Sequence, residues 1–440
     1  MSKRASFGSK IGAVLVAAGS AIGLGSIWRF PYMTGENGGG AFLLVYLLSV
    51  VIVGIPVMLA EFSIGTYTRK SPVKAYNSLS PRWTWLGYNS VIVSLLISGF
   101  YYIVAGWSLE YFVSSIDGSL YSTADFHSNF AAFTSSWREP FYTVVFVVLT
   151  HAIVAMGVQQ GLERISKIVM PVLLLMLVAL VVHSATMSGA AEGYRFLFTP
   201  DFEKAFTVKT IVSAIGQAFF SLSIGLGCMI AYSSYFKEGT NLTRTSISVC
   251  VMTFFVALLS GMVIFPAVFS VEGLEPTAGP TLLFETMPFI FAEMPAPELW
   301  SAIFFLLVAL AAITSTISFH EVLTQYLQEN HNVPRKHAAR ITTMATILLT
   351  ILCLRWGWFF DAFDAITADV LMPVGGLLTA VFAGWVFDRK SFREQISNHG
   401  TLTAKLFPLL VFALKWVAPI LLSVVFVLSS AFFSILETCT

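Results

Sequence analysis

The sequence predicts an all-α integral membrane protein in which eleven helices cross the bilayer and two of them are interrupted. Hydrophobic residues make up 56% of the chain and charged residues 11%. A soluble globular protein carries about 25% charged residues, so this chain has too few to cover a surface in water, and a soluble class is excluded. Apolar runs of about 20 residues, the length that crosses ~30 Å of hydrocarbon, recur along the chain. The same tetrapeptide, Ile-Gly-Leu-Gly, occurs within two of them.

The predicted spans follow the apolar runs. They lie near residues 11–35, 41–66, 85–115, 140–160, 163–187, 208–235, 242–270, 298–328, 337–355, 359–387 and 405–434. Basic residues concentrate in alternate loops, for example Arg69, Lys70 and Lys336, and the positive-inside rule places such loops in the cytoplasm. We therefore expect a cytoplasmic N-terminus and, because the number of spans is odd, an external C-terminus. Short termini and compact loops favour the inner membrane of a bacterium.

The charge balance gives no reason to expect a nucleic-acid partner. The formal net charge is +1, so no basic field would attract a polyanion. We expect the lipid bilayer and a small molecule as partners, and the sequence leaves monomer and homodimer both open. No strict catalytic arrangement such as HExxH or GxSxG occurs in it, so we expect no catalytic residues and no enzyme.

The two Ile-Gly-Leu-Gly sequences lie at residues 22–25 in span one and 224–227 in span six. Each glycine costs about 1 kcal/mol in a helix interior relative to alanine, so both helices are expected to unwind there. Unwinding frees backbone N–H and C=O groups, which must then face a ligand, an ion or water. Five spans separate the sites, and because five is odd the second half of the chain is inverted. Close packing through small residues is the alternative for one glycine cluster, but matching breaks in inverted halves indicate a transporter binding site.

Longer motifs accompany these breaks. They are residues 19–31, 36–42, 54–56 with Glu61, 101–102, 216–223, 314–315 and 335–338. Together they resemble the neurotransmitter:sodium symporter (NSS) family, in its bacterial branch of amino-acid transporters with the LeuT-like fold, over most of residues 4–390. The resemblance implies a single transmembrane domain over 1–440, a 5+5 inverted repeat with discontinuous helices 1 and 6. Repeat one is expected near 8–188, repeat two near 205–390 and an extra span near 404–435.

The resemblance implies a sodium-coupled symporter that imports a neutral, hydrophobic α-amino acid by alternating access. Where the family's monoamine carriers place an aspartate to hold an amine, this chain has Gly23. Glycine adds no negative charge and leaves backbone N–H groups open to a carboxylate, which a half-helix N-terminus favours. A substrate with its own carboxylate is therefore expected. Leu226 and the small Ser98 leave room for a bulky side chain and Phe319 takes some back, so aliphatic and aromatic substrates both stay open.

The same resemblance implies a substrate site drawn from spans one, three, six and eight. Its residues are Ala21, Gly23, Leu24, Gly25, Ser98, Tyr102, Phe220, Ser221, Ser223, Leu226, Ser315 and Phe319. Tyr102 is expected to donate its hydroxyl to the substrate carboxylate.

One or two Na⁺ ions are expected, bound by backbone carbonyls and hydroxyls. The resemblance assigns one site to the carbonyls of Gly19, Ile22 and Ala311 with the hydroxyls of Thr314 and Ser315.

The resemblance assigns the other sodium site to Ala21, Ser26, Ser221 and Thr253, completed by the substrate carboxylate. Ser26 and Thr253 stand where many members of the family have asparagine.

A requirement for chloride stays open. Ala257 stands where chloride-independent bacterial members often place an acid, while Tyr46, Gln217 and Ser221 supply groups that can hold an anion.

Two pairs of charged residues match the family's gates. Arg29 and Asp364 correspond to the outer pair, and Arg4 and Glu329 to the inner pair, which Tyr235 accompanies.

Two further features lie near the inner gate. Phe7 replaces a tryptophan that many members use there. The spacing of Gly161 and Pro171 matches a Gly-X9-Pro motif that the family uses to unwind span five; an ordinary helix entry followed by a proline kink is the alternative.

Ionisable residues within spans are functional by default. Glu61 matches a family position that braces the broken helices. For His320, Glu321 and Asp369, one interpretation is a satisfied buried polar group; the other is a proton-coupled or exchange-type amino-acid transporter on the same fold. A carrier of another small carboxylate-bearing amine is a further alternative.

Overall fold

The structure is a computed structural model in which residues 5–122, 125–271, 283–402 and 404–428 are described. These residues fold into helices joined by short turns, and no strand occurs among them. The all-α prediction is therefore confirmed for the described part of the chain.

Nine helices within the described ranges are long and apolar enough to cross a membrane. They are Gly40–Thr68, Pro81–Ile116, Arg138–Ala155, Val158–Ser184, Leu242–Phe269, Pro297–Asn330, Arg335–Arg355, Gly357–Val386 and Phe407–Leu428. A tenth span is the bent pair Lys10–Ala21 and Gly25–Glu36. At the position of the predicted sixth span lies a shorter apolar helix, Val208–Leu222, followed after a break by Cys228–Ser233. Each predicted span thus has a helical counterpart among the described residues, although the predicted end of the last, near 434, lies outside them.

We number the spans one to eleven in chain order and call the side where span one begins the inner side. Shorter helices lie in the connections between spans. They are Pro72–Leu79, Phe126–Thr134, Ala190–Phe198, Phe202–Ala205, Thr286–Ala292 and Arg389–Ile396.

The predicted boundary between spans four and five is wrong. Span four ends at Ala155 and span five begins at Val158, whereas the apolar pattern predicts a boundary at 160–163. Gly157 takes φ +95°, a left-handed conformation that glycine adopts far more readily than other residues, and it ends the helix early. Span five consequently begins with a wide helical turn, Val158–Glu163. The sequence pattern had placed most of these residues in span four and in the connection that follows it.

Spans three and eight form the centre of the bundle. They pack against each other along much of their length, and 78% and 72% of their most apolar segments are buried. Spans four, five, nine and eleven are each 33% buried, so they form the outer layer, whose exposed apolar side chains suit contact with lipid. The two broken helices lie inside this layer, and their inner halves contact span eight.

Candidate substrate and ion site

The break in span one leaves backbone groups that other spans satisfy. The helix stops at Ala21, turns by 51° and resumes at Gly25. The Leu24 amide donates to the Tyr101 hydroxyl at 3.0 Å. The Ser20 carbonyl accepts hydrogen bonds from the Ser223 hydroxyl at 2.8 Å and from the Ser315 hydroxyl at 3.4 Å. Spans three, six and eight therefore meet at this break.

The break in span six depends on glycine conformation and on a buried acid. Gly225 and Gly227 have φ of +84° and +75°, which β-carbon-bearing residues rarely adopt. A Cβ on Gly225 would also overlap the Met372 carbonyl of span ten. The Glu61 carboxylate, which is fully buried, accepts the Gly225 amide at 2.8 Å. Glu61 thus braces the broken helix, as the sequence predicts.

A small cavity with a volume of about 10 Å³ lies between the two breaks. Its lining residues are Ser20, Ala21, Gly23, Gly25, Ile97, Tyr101, Phe220, Ser223, Leu226, Ser315, Phe319 and Met372. None of these twelve side chains carries a charge. Most of the predicted substrate residues are among them, and the exceptions lie in spans one, three and six.

The predicted positions in span three are wrong by one residue. Tyr101, not Tyr102, places its hydroxyl at the break, and a Cβ on Gly23 would lie 2.9 Å from that oxygen. The Tyr102 hydroxyl instead lies 3.5 Å from His320 Nδ1, on the far side of the helix. Similarly, Ile97 lines the cavity, while the Ser98 hydroxyl donates to the Ser94 carbonyl at 2.6 Å. Consecutive helical residues point about 100° apart, so a shift of one position turns both predicted side chains of span three away from the cavity.

Two other predicted residues contribute differently from what the sequence suggests. Leu24 is absent from the cavity lining and offers its backbone N–H to Tyr101. The Ser221 hydroxyl lies 2.8 Å from the Tyr46 hydroxyl, behind the cavity. Ser20 and Met372, by contrast, line the cavity although neither was among the predicted substrate residues.

The structure brings together most of the first predicted sodium site. The Thr314 hydroxyl lies 2.8 Å from the Ala311 carbonyl and 3.4 Å from the Ile22 carbonyl. A Cβ on Gly19 would lie 3.4 Å from Thr314 Cβ, so Gly19 faces the same point. The Ser315 hydroxyl is directed to the Ser20 carbonyl. These neutral oxygens are the hard ligands that an alkali cation requires.

The second predicted sodium site is less well assembled. The Ser26 hydroxyl lies 3.5 Å from the Ala21 carbonyl. Thr253 donates its hydroxyl to the Val249 carbonyl of its own helix at 2.9 Å, and Ser221 faces Tyr46. Only Ser26 and Ala21 of this predicted set therefore approach each other here.

The groups predicted to hold an anion lie beside that site. Tyr46 and Ser221 are in contact, and Gln217 donates its side-chain amide to the Gly25 carbonyl at 2.7 Å. The Gln217 carbonyl oxygen is buried and has no hydrogen-bond partner among the described residues. Ala257 is fully buried and adds no charge.

The outer gate lies directly above the cavity. The Arg29 guanidinium lies over the Phe220 ring, 4.5 Å from its centre. Tyr32 lies within electrostatic range of both Arg29 and Asp364, so the two predicted gate residues converge on the same side of the cavity.

Phe7 and Tyr235, two residues of the predicted inner gate, contact each other. The Phe7 amide donates to the Tyr235 carbonyl at 2.9 Å, and the fully buried Phe7 ring packs against the Tyr235 ring. The Glu329 carboxylate accepts the Ser71 amide at 2.7 Å. Its predicted partner, Arg4, lies outside the described residues.

The buried acid of span eight, Glu321, contacts Tyr235 of the predicted inner gate. Glu321 forms a two-pronged ion pair with Arg335, with distances of 2.5 and 2.9 Å, and accepts the Tyr235 hydroxyl at 2.8 Å.

His320 has neutral partners. Its Nε2 lies 3.3 Å from both the Ala339 carbonyl and the Thr343 hydroxyl. Asp369 belongs to the turn Ile366–Leu371, and its side chain is outside the described set. The contacts of His320 and Glu321 match the interpretation as satisfied buried polar groups.

Comparison with known proteins identifies the group to which this arrangement belongs. A model of the sodium:neurotransmitter symporter family matches residues 4–131 and 126–438. An uncharacterized sodium-dependent transporter of Bacillus subtilis (strain 168), YhdH, is 36% identical over 96% of this chain and 97% of its own length. An uncharacterized sodium-dependent transporter of Haemophilus influenzae is 33% identical over 97% of this chain and 98% of its own.

A solved structure has the same fold. The crystal structure of MhsT in complex with L-phenylalanine matches with a TM-score of 0.90 at 37% identity, over 97% of this chain and 99% of that chain. The LeuT-like fold that the family resemblance implied is thereby confirmed.

Proposed function

The chain belongs to the sodium:neurotransmitter symporter family, whose members are transporters and not enzymes, and on that premise we propose that it imports a neutral, hydrophobic α-amino acid together with Na⁺ by alternating access. The protein is a multi-pass membrane protein and a sodium-dependent transporter, as its relatives are. The substrate, the number of ions and the direction of transport are parts of the proposal.

The chemistry of the cavity supports the substrate class, and the position of Gly23 is the observation that carries it. The space beside Gly23 has no room for a side chain, so this point offers backbone groups and the hydroxyls of Tyr101 and Ser315. Such donors suit a carboxylate. None of the residues that line the cavity is an acid, so none would select an amine that lacks a carboxylate. The substrate's ammonium group would meet the Ser20 carbonyl and the Ser223 hydroxyl.

The apolar part of the cavity lining supports a hydrophobic substrate side chain. Ile97, Leu226, Phe319 and Met372 form an apolar lining there, and burying an apolar side chain against them is favourable by about 25 cal/mol per Å². MhsT, a protein 37% identical to this chain, was crystallised in complex with L-phenylalanine. Because Ile97, and not the smaller Ser98, lines the cavity, the site has less room for a bulky substrate than the sequence suggested.

The ion site around Thr314 supports sodium coupling. The Ile22 carbonyl belongs to the break in span one, whereas the Ala311 carbonyl and the Thr314 hydroxyl belong to span eight, so a bound cation would fix these two spans relative to each other. The same break presents Gly23 to the substrate cavity. Ion and substrate would therefore stabilise the same arrangement of span one, which is the basis of coupled binding.

The proposed orientation in the membrane follows from the loops. Basic residues such as Arg69, Lys237 and Lys336 lie on the inner side, and the positive-inside rule places that side in the cytoplasm. We place the protein in a bacterial inner membrane with the N-terminus inside and the C-terminus outside.

Replacing Thr314 with alanine should lower the affinity for sodium without destabilising the fold. The variant lacks the one side-chain oxygen that joins the Ile22 and Ala311 carbonyls. A lost ligand to a charged group costs about 1.5–3 kcal/mol, so the sodium concentration for half-maximal amino-acid binding should rise roughly 10- to 100-fold. The measurement is equilibrium binding of radiolabelled amino acids across a panel of twenty, in sodium and in potassium buffers.

Thr316→Ala is the matched control. Thr316 is buried in the same helix, but its hydroxyl faces Thr150 at 2.9 Å, away from the ion site. It should leave the sodium dependence unchanged. Equal sodium dependence of the wild type and the Thr314 variant would rule out the proposed ion site, and equal binding in both buffers would rule out sodium coupling.

A further inference from the structure

Glu163 is a buried acid whose role the family motifs do not explain. It is the last residue of the wide turn Val158–Glu163 that opens span five, and it is 2% exposed. Its carboxylate is directed at the beginning of span one, which is the part of the inner gate that carries Phe7.

The carboxylate binds the first residues of span one with both oxygens. One oxygen accepts the Gly8 amide at 2.5 Å, and the other accepts the Ser9 amide at 3.1 Å and the Ser9 hydroxyl at 3.0 Å. Ser9 is the N-cap of the helix, and its hydroxyl oxygen in turn accepts the Gly12 amide at 2.9 Å. The anion therefore lies at the positive end of the helix dipole and satisfies amides that have no partner within the helix.

Two glycines make this approach sterically possible. A Cβ on Gly8 would lie 3.3 Å from the Glu163 carboxylate, and a Cβ on Gly12 would overlap it. The helix surface that faces span five therefore has the shape of the Glu163 side chain. Lys167, 2.6 Å from the same carboxylate, compensates its charge within span five.

We propose that Glu163 is a latch that holds the inner half of span one against span five while the inner side is closed. The proposal rests on the alternating-access function proposed above. Glu163 lies two residues after Gly161, inside the stretch that ends at Pro171, so unwinding of this stretch would withdraw the carboxylate from Gly8 and Ser9. Opening of span five and release of span one are then one event.

A neighbouring contact strengthens the same connection. The Gln159 side-chain amide donates to the Ser6 carbonyl at 2.7 Å, so two side chains of one turn of span five hold the segment 6–9. Lys237, from the connection after span six, donates to the Gly8 carbonyl at 2.5 Å and fixes that segment from the other side.

Hydrogen–deuterium exchange of the full-length protein tests the latch. Glu163→Gln keeps the size of the side chain, removes its charge and replaces one acceptor by a donor that faces the amides. Amide exchange should become about tenfold faster in residues 8–21 and 158–171, because both segments open more often, and should stay unchanged in spans three and nine. Glu139→Gln is the matched control: Glu139 accepts the Trp107 indole at 2.8 Å, far from span five, and its variant should leave both segments unchanged.

A second variant separates release of the latch from general instability. Gly12→Ala keeps Glu163 but displaces its carboxylate, so it should accelerate exchange in the same two segments. Unchanged exchange there in both variants, or an equal acceleration in every span, would overturn the proposal. Sodium-dependent amino-acid binding of the wild type is measured on the same samples. Failure of that binding would reject the transport function, whereas normal binding with unresponsive exchange would reject the latch alone.

Discussion

Gly23→Ala should lower the affinity for the amino-acid substrate by roughly 5- to 150-fold, the range that corresponds to about 1–3 kcal/mol of overpacking. The added methyl group would overlap the Ser315 hydroxyl and lie 2.9 Å from the Tyr101 hydroxyl. Both oxygens contact the break in span one, and both would have to move away from the substrate. Equilibrium binding of a radiolabelled amino acid in sodium buffer measures the loss.

The matched control for this prediction is Gly216→Ala. Gly216 lies in the outer half of span six, and a Cβ placed there meets no heavy atom within 4 Å. The same chemical change should therefore leave substrate affinity at the wild-type value, while alanine favours the helix by about 1 kcal/mol.

A Gly23→Ala variant that binds substrate like the wild type would contradict the placement of the substrate at this break. Gly23→Asp, the residue of the monoamine carriers, is a less specific test, because even alanine is too large. Loss of binding in that variant would therefore not separate charge from size.

Tyr101→Phe should lower substrate affinity by roughly 10- to 100-fold, whereas Tyr102→Phe should leave it unchanged. The Tyr101 hydroxyl accepts the Leu24 amide and faces the cavity, so its removal costs a hydrogen bond to the charged carboxylate, about 1.5–3 kcal/mol. The Tyr102 hydroxyl contacts His320 at 3.5 Å, so its removal should change only the stability, by about 1 kcal/mol or less. Competition binding and thermal unfolding of the two variants measure these effects.

The paired variants make this prediction internally controlled. Adjacent tyrosines of the same helix receive the same substitution, so differences in expression or general stability affect both. The opposite pattern, with Tyr102→Phe weakening binding and Tyr101→Phe neutral, would restore the assignment made from sequence and contradict the geometry of the cavity.

The interrupted helices were predictable because their signal is local. Two glycines within four residues weaken a helix wherever they occur, and the repeat of Ile-Gly-Leu-Gly five spans later fixes the inverted arrangement. Glu61 was identified through the family resemblance, and the structure gives the physical reason: a buried acid requires donors, and the break in span six supplies the Gly225 amide.

The orientation of span three was not predictable, because it depends on tertiary packing. Tyr101 and Tyr102 have the same side chain, and both are almost completely buried, so hydrophobicity does not distinguish them. What distinguishes them is the partner of each hydroxyl: the freed Leu24 amide in one case and His320 in the other. His320 was predicted either as a satisfied buried polar group or as part of proton coupling, and in the structure it is a partner of the Tyr102 hydroxyl.

Other parts of the site also depend on contacts between distant segments. Met372 comes from span ten, which carries no motif of its own at that point, and reaches the cavity because span ten packs against the break in span six. The contact between Glu163 and Ser9 could not be predicted from the sequence, since 154 residues separate them and no pattern in either segment indicates the other.

The central claim is that the gradient of sodium drives the import of a neutral amino acid, and uptake into proteoliposomes tests it most directly. We expect radiolabelled hydrophobic amino acids to accumulate above the external concentration when sodium is higher outside than inside. Accumulation should disappear when the sodium gradient is collapsed at constant pH. Uptake that persists without sodium and follows an imposed pH gradient would contradict the account.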